Sequence, residues 1–258
     1  MSYLTIYVVT HKKFKHFCRK PYQTIVVGNQ KEFVAQHDYL RDDMGDNISE
    51  KNPNYCELTA LYWIWKNDKS SEIIGLCHYR RYLSRSFCSN SGKYILSEKN
   101  IQKYFKRGYD VILPYKPIAR RTVAEIYCDC GYEKDLMLLR TIIEKRCPDY
   151  LEDYDLLLKR HSNYPANIMI LSKSLLNQYA EWLFDLLFVM ERENDISGYS
   201  AQEARIYGYL AERLLEVWVR KNKLKVRHFR MINTNEKRTL MGCLLDVGSM
   251  ITTWMKNY

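Results

Sequence analysis

Glycine and proline are scarce in this 258-residue chain, at 10 and 6. A loop-rich all-β fold draws on both at its turns, so their scarcity argues against one. No low-complexity run or internal repeat is present. The longest apolar run, WLFDLLFVM (182–190), is broken by Asp185 and falls far short of the roughly 20 residues that cross a bilayer. The opening YLTIYVV has no basic segment before it and no cleavage site after it, so no secretory signal is expected. Eight cysteines (18, 56, 77, 88, 128, 130, 147 and 243) include no C-x-x-C pair. Cys128 and Cys130 alone do not make a zinc site, and reduced, partly buried thiols in a cytoplasmic protein are the simplest account. Walker, GxGxxG, HExxH and GxSxG motifs are all missing, which removes the usual ATPase, dinucleotide-binding and hydrolase readings.

What is there reads as a soluble globular protein, 47% hydrophobic and 27% charged. The net charge of +10 admits nucleic acid, an anionic membrane surface or a polyanionic small ligand as partner. The basic residues are dispersed and no aromatic residues interleave with a basic stripe, so no nucleic-acid partner is expected. The densest basic run, RKNKLKVRHFR (220–230), is either a peripheral contact with lipid headgroups or a solvated face. Tyrosine is abundant, at 22; such rings suit sugar faces but more often fill cores.

Periodicity orders the elements. YLTIYVV (3–9) and YQTIVVG (22–28) read as strands around a short helix near Phe14, Phe17 and Cys18, a β-α-β opening that predicts a parallel sheet. Residues 29–51 read as a loop. Asn52 and Pro53 suit the start of one helix over 52–66. The remaining strands are expected at 73–77, 109–114, 166–171 and over LKVRHF (224–229). Helices are expected from Ser97 to Gly108, near 132–146 and 149–160, from Ser172 to about Glu193, and through Ile206, Leu210, Leu214, Val217 and Trp218. No linker divides the chain, so one α/β domain over 1–258 with a mostly parallel sheet and a helical C-terminal half is the expectation.

Ligands of open parallel sheets bind beyond the carboxyl ends of the strands. That rule selects Thr10-His11-Lys12, Gly28-Asn29, His78-Tyr79-Arg80-Arg81 and Pro114 to Lys116. A basic cluster there suits a phosphorylated ligand, and the remaining enzyme class is a sugar-nucleotide transferase. In that class the strand after the helix typically ends in a metal-binding Asp-x-Asp; here it ends in His-Tyr-Arg-Arg. Paired guanidiniums can neutralise a leaving diphosphate directly, so no divalent metal is expected. The alternative is that Arg80 and Arg81 pair with the acids of residues 42–50.

The stretches YVVTHK (7–12), GDNISEKNPNYCELTALYWIWKN (45–67), GLCHYRRYL (75–83), YDVILP (109–114) and YGYLAERLLEVW (207–218) together resemble the bacterial capsular and exopolysaccharide biosynthesis family of galactofuranosyltransferases. The resemblance covers nearly the whole chain. It implies a GT-A-like fold, with a donor-binding half over about 1–115 and an acceptor half over about 116–258. It implies transfer of galactofuranose from UDP-galactofuranose, with inversion to a β linkage, onto a lipid-linked capsular, exopolysaccharide or O-antigen glycan at the cytoplasmic membrane face. By motif match the donor-site candidates are Thr10, His11, Lys12, Asp46, Asn47, Asn52, Tyr55, Glu57, His78, Tyr79, Arg80 and Arg81. Tyr127, Asp129, Asp135 and Asn167 are the acceptor-side candidates. A histidine expected between Tyr127 and Asp135 is missing, and Gly131 lies there instead.

An inverting transferase also needs a base for the acceptor hydroxyl. Asp195, in the loop NDISGYS, is the first choice and Glu203 another, with Asp129 and Asp135 as further candidates. Glu203 stands three residues after Ser200, a capping-box spacing that gives it a structural role as well. Two other readings remain: a metal-dependent or non-furanose transferase of the same fold, and a non-catalytic glycan-binding or basic interaction protein.

Overall fold

In a computed structural model of the chain, residues 3–14, 19–28, 39–236 and 247 are described. The expected helix around Phe14 to Cys18, and Asn29 of the second strand end, lie wholly or partly outside the described residues.

The strands are β1 (Leu4–Thr10), β2 (Tyr22–Val26), β3 (Leu40–Arg41), β4 (Ile73–His78), β5 (Arg81–Ser84), β6 (Val111–Pro114), β7 (Met169–Ser172) and β8 (Val226–Asn233). They form one eight-stranded sheet. The opening is parallel as expected: β1 lies between β2 and β4, and β3 extends the edge. The rest is not. β4 pairs antiparallel with β5 and β7, β5 with β8, and β6 with β7, while β6 and β8 are parallel. The expectation of a mostly parallel sheet is therefore corrected to a mixed one. Part of the reason is the hairpin at His78–Arg81, which turns the chain straight back into β5 where a crossover was expected. Strands from both halves of the chain share the sheet.

Alternation along β1 feeds two cores, as period-2 side chains must. Tyr7 and Val9 join the larger core, whereas Leu4, Ile6 and Val8 join a second one with Ile101 and Phe229. The larger core is closed by α2 (Leu58–Asn67), α5 (Glu133–Arg146), α6 (Leu151–Leu158), α7 (Lys173–Glu193) and α8 (Ile206–Lys221), counting α1 (Asn52–Tyr55), α3 (Glu98–Phe105) and α4 (Val123–Tyr127) in chain order. Local chemistry sets several boundaries. Ser97 and Asn100 form the reciprocal cap of α3, and the Ser172 hydroxyl accepts from the Leu175 N–H to start α7. Many tyrosines are core, among them Tyr55, Tyr82, Tyr127, Tyr154 and Tyr179, each under 2% exposed.

The single helix expected over 52–66 is two. Cys56 adopts φ 52°, ψ −127° between α1 and α2, and Asn52 is the first residue of α1 rather than its cap. Its side-chain amide donates to the Cys56 carbonyl at 2.7 Å and to the Thr59 hydroxyl at 3.1 Å, bridging the break. The break leaves Glu57 at the N-cap position of α2 with no backbone N–H on its carboxylate, free to serve elsewhere.

Candidate active site

A cavity of about 560 Å³ opens where β1, β2 and β4 end. Val9, His11 and Val27 line it from the first two strands, and His78, Tyr79, Arg80 and Arg81 from the β4–β5 hairpin. Asn52, Pro53, Cys56 and Glu57 form a second wall, and Gln202, Arg205, Gly208, Tyr209 and Glu212 a third, on and just before α8. This is the strand-end location that open α/β sheets use for ligands.

The cavity is rich in cations. Arg80 packs on the Tyr79 ring, 5.4 Å from its centroid. Among the described residues, no ion pair joins Arg80 or Arg81 to an acid of residues 42–50: Asp43 pairs with Arg41, and Asp42 is buried against Ser49. Arg205 donates from Nε to the Cys56 sulfur at 3.2 Å. Burial raises that thiol's pKa to about 11, so it accepts as a neutral group. The ring of His11 lies edge-on to Tyr79 at 5.6 Å. Burial first, then Lys12, Arg205 and Arg80, push its pKa down, so it sits neutral among the arginines.

Opposite them are two carboxylates, Glu57 and Glu212, organised by one tight turn. Ala166 and Asn167 both have positive φ, at 63° and 49°, a conformation that costs about 1–3 kcal/mol per residue and is tolerated where the surroundings enforce it. The Ala166 N–H donates to Glu212 Oε1 at 2.9 Å. The Ala166 carbonyl lies 2.7 Å from His78 Nε2; a carbonyl can only accept, so the proton sits on Nε2. The Asn167 amide donates to Glu57 Oε1 at 2.8 Å and to the Gly208 carbonyl at 3.1 Å. Glu57 Oε1 is 4.0 Å from His78 Nε2. Burial raises the Glu212 pKa to about 7, the Glu57 charge adds to the rise, and Arg213, the Ala166 N–H and Arg81 oppose it.

Of the residues expected from sequence, the fold brings His11, Asn52, Glu57, His78, Tyr79, Arg80 and Arg81 to the cavity wall, with Asn167 directly behind Glu57. It does not bring the others there. The buried Thr10 hydroxyl accepts from the Lys12 N–H, and Lys12 lies outside over the Tyr79 ring. Asp46 accepts from the Tyr62 hydroxyl on the surface, and Asn47 shapes the turn before Ser49. Tyr55 is core, against Tyr207 and Glu191. Asp135 is a buried hub that accepts from Tyr127, Tyr199, Asn194 and the Tyr132 N–H, and Asp129 pairs with Arg121 at the surface. A histidine at position 131 has no room, since a Cβ there would stand 2.6 Å from the Tyr127 ring.

Asp195 is exposed and accepts from the Ser197 N–H at 2.9 Å, which lowers its pKa. Glu203 is held by the Tyr132 hydroxyl and the Ser200 N–H. Neither lines the cavity. Arg205, Gln202, Tyr209 and Glu212 were not anticipated. The basic run 220–230 is largely spent inside the fold: Arg220 pairs with Asp153, Arg227 lies over Tyr104, His228 stacks on Tyr115, and Arg230 donates to the Ser86 and Ser89 carbonyls. Lys223 and Lys225 remain exposed. Among the described residues no helix is long and apolar enough to cross a membrane, and no group of three or more His, Cys, Asp and Glu side chains is arranged to hold a metal ion.

Fold and site define an α/β protein with a mixed sheet and a cavity lined by three arginines and two glutamates at its parallel strand ends. Residues 5–223 match the family described as a domain of unknown function (DUF4422), and the chain belongs to that family. Among solved structures it is similar to the apo form of the bifunctional glycosyltransferase WbbM, at 29% identity and a TM-score of 0.79. That alignment covers 90% of this chain and 45% of WbbM, so the chain spans less than half of that protein's length. A looser match to a 4-diphosphocytidyl-2C-methyl-D-erythritol synthase from Anaerococcus prevotii has 12% identity, covers 97% and 96% of the two chains, and reaches a TM-score of only 0.37; it supports no argument. No curated protein matches the chain.

Proposed function

We propose that the protein is a glycosyltransferase that takes galactofuranose from UDP-galactofuranose and transfers it, with inversion, to a lipid-linked capsular, exopolysaccharide or O-antigen glycan on the cytoplasmic side of the membrane. The observation that carries this reading is the set of three guanidiniums, Arg80, Arg81 and Arg205, around one cavity at the strand ends. Two of them come from a hairpin where a metal-binding acidic motif would be expected in a metal-dependent transferase. Guanidiniums placed on the two phosphates stabilise the charge that develops as the sugar–oxygen bond breaks, which is the work a divalent ion otherwise does. The reading is therefore of a metal-independent enzyme. The similarity to WbbM supports glycosyl transfer as the reaction class, and the family resemblance of the motifs supports the furanose donor. On the other side of the cavity, Glu57 and Glu212 offer hydrogen-bonding groups to a sugar, with the buried Asn167 amide holding Glu57 from behind.

The test is UDP release from a panel of UDP-galactofuranose, UDP-galactose and UDP-glucose, with and without EDTA. The reading expects release that is fastest from UDP-galactofuranose and unaffected by chelation. Release that requires added Mn²⁺ would replace the arginine mechanism with a metal one. Failure to bind or cleave any of the three donors would overturn the transferase reading.

A further inference from the structure

We infer that Glu212 is the general base of the transfer, taking the proton of the hydroxyl that attacks the donor sugar, and that the Ala166–Asn167 turn fixes it in place. The inference rests on the transferase reading and names the residue that the reading leaves open. The base must reach into the cavity that holds the leaving group, and the carboxylates lining that cavity are Glu57 and Glu212. They are not equivalent. The Glu57 side chain is 11% exposed, engaged by the Asn167 amide and close to His78. The Glu212 side chain is 25% exposed, so it presents a face to the cavity while its Oε1 is anchored by the Ala166 N–H. Oε2 lies 3.5 Å from Arg213.

Groups from every surrounding element bear on its proton. Arg213 is its neighbour on α8, Glu57 faces it from the start of α2, Arg81 acts from β5, and Arg205, His78 and His11 share the cavity. Burial together with the Glu57 charge places its titration near neutral pH, where a base works with the least mismatch to the hydroxyl it serves.

The step balances. The acceptor O–H gives its proton to the Glu212 carboxylate, and the oxygen forms a bond to the anomeric carbon. The bond from that carbon to the β-phosphate oxygen breaks, and its electron pair leaves with UDP against Arg80 and Arg81. Glu212 then loses the proton to water, so one proton, one glycoside and one UDP result. With no acceptor present, water takes the hydroxyl's place and the donor is hydrolysed.

Glu212→Gln separates this role from a structural one. Glutamine has the same shape and its carbonyl still accepts from the Ala166 N–H, yet it cannot take a proton. UDP release from UDP-galactofuranose, with water as acceptor, should fall by at least about 100-fold while affinity for UDP stays within about three-fold. Glu212→Asp should keep a measurable fraction, and the wild-type rate should climb with pH through about 7. A glutamine variant that hydrolyses donor at the wild-type rate overturns the assignment and leaves the transferase reading standing. A wild-type protein that binds UDP but cleaves no donor counts against a base in this cavity. One that neither binds UDP nor cleaves a donor removes both proposals.

Discussion

Two sets of buried or half-buried cations stand near strand ends in this molecule, and they are treated in opposite ways. Lys116 follows β6, which runs in the same direction as β4 because both are antiparallel to β7. Its ammonium donates to Glu216 at 2.7 Å, and Arg160 reaches the same carboxylate oxygen at 3.2 Å. Glu216 is fully buried. Burial lowers the Lys116 pKa and the Glu216 charge opposes that shift. This set carries its own counter-charge. Arg80 and Arg81, in the hairpin from β4 into β5, have no side-chain hydrogen bond or ion pair with a carboxylate among the described residues, and Arg205 has a neutral thiol for a partner. A cation that keeps its own buried anion serves the fold, because removing either partner strands a charge. Cations that line an open cavity with no carboxylate hydrogen-bonded to them, and with Glu57 and Glu212 acting only across the cavity, are available to a ligand's phosphates.

That contrast can be broken from either side. The largest effect is expected at the closed set. Glu216→Ala should cost about 3–5 kcal/mol of stability by stranding Lys116 and Arg160, read from urea unfolding. A loss under about 1 kcal/mol would mean the cluster is solvated and the distinction false. Next come the open cations. Arg80→Ala and Arg81→Ala should each raise the barrier to transfer by about 2–4 kcal/mol, and stability should move by no more than about 0.5 kcal/mol. Variants that unfold instead would assign the pair to the fold.

A smaller effect is expected in the pH dependence of stability. Glu212 is raised from 4.5 in the unfolded chain to about 7, so the folded state holds the extra proton between those values. The Glu212 contribution to wild-type stability should fall as pH climbs from about 4.5 to 7, by no more than about 3.4 kcal/mol, and the fall should be missing in Glu212→Gln. A variant whose stability tracks wild type across that window would show that Glu212 titrates normally. The smallest effect is at Asp195, whose carboxylate serves a surface turn. Asp195→Asn should leave stability within about 0.5 kcal/mol and turnover nearly unchanged. Loss of turnover with donor binding intact would return the base to that loop.

Much of the fold was legible because hydrophobic period and capping chemistry are local. The Ser97 and Ser172 caps, the apolar face of α8 and the alternation of the two opening parallel strands all act within a few residues. Strand direction is not local. The hairpin that creates β5 carries Tyr79 and Arg80 at its turn, without the glycine or asparagine that usually marks one, so the antiparallel half of the sheet left no trace. The break at Cys56 was hidden for a similar reason: a non-glycine residue at φ 52° is held there by the Asn52 side chain, not by its own preference.

The site divides along the same line. The hairpin arginines and Glu57 were found because a strand end and a helix start can be located from sequence. Arg205, Tyr209 and Glu212 fall at i, i+4 and i+7, one stripe of a helix. That spacing was there to be read, but a polar stripe ordinarily faces water. Only the packing of α8 across the strand ends makes it a cavity wall. Tyr55, Tyr127 and Asp135 show the converse, with functional-looking side chains spent on the core and on one buried hub.

The central claim is that the open arginines hold a diphosphate, and titration of UDP into wild-type protein and into the Arg80→Ala/Arg81→Ala double variant, both in EDTA, tests it most directly. Each charge-assisted contact is worth about 1.5–3 kcal/mol, so the wild type should bind UDP without metal and the double variant should bind at least about 100-fold more weakly. Equal affinity in the two proteins, or binding by the wild type only when a divalent ion is restored, would contradict the account.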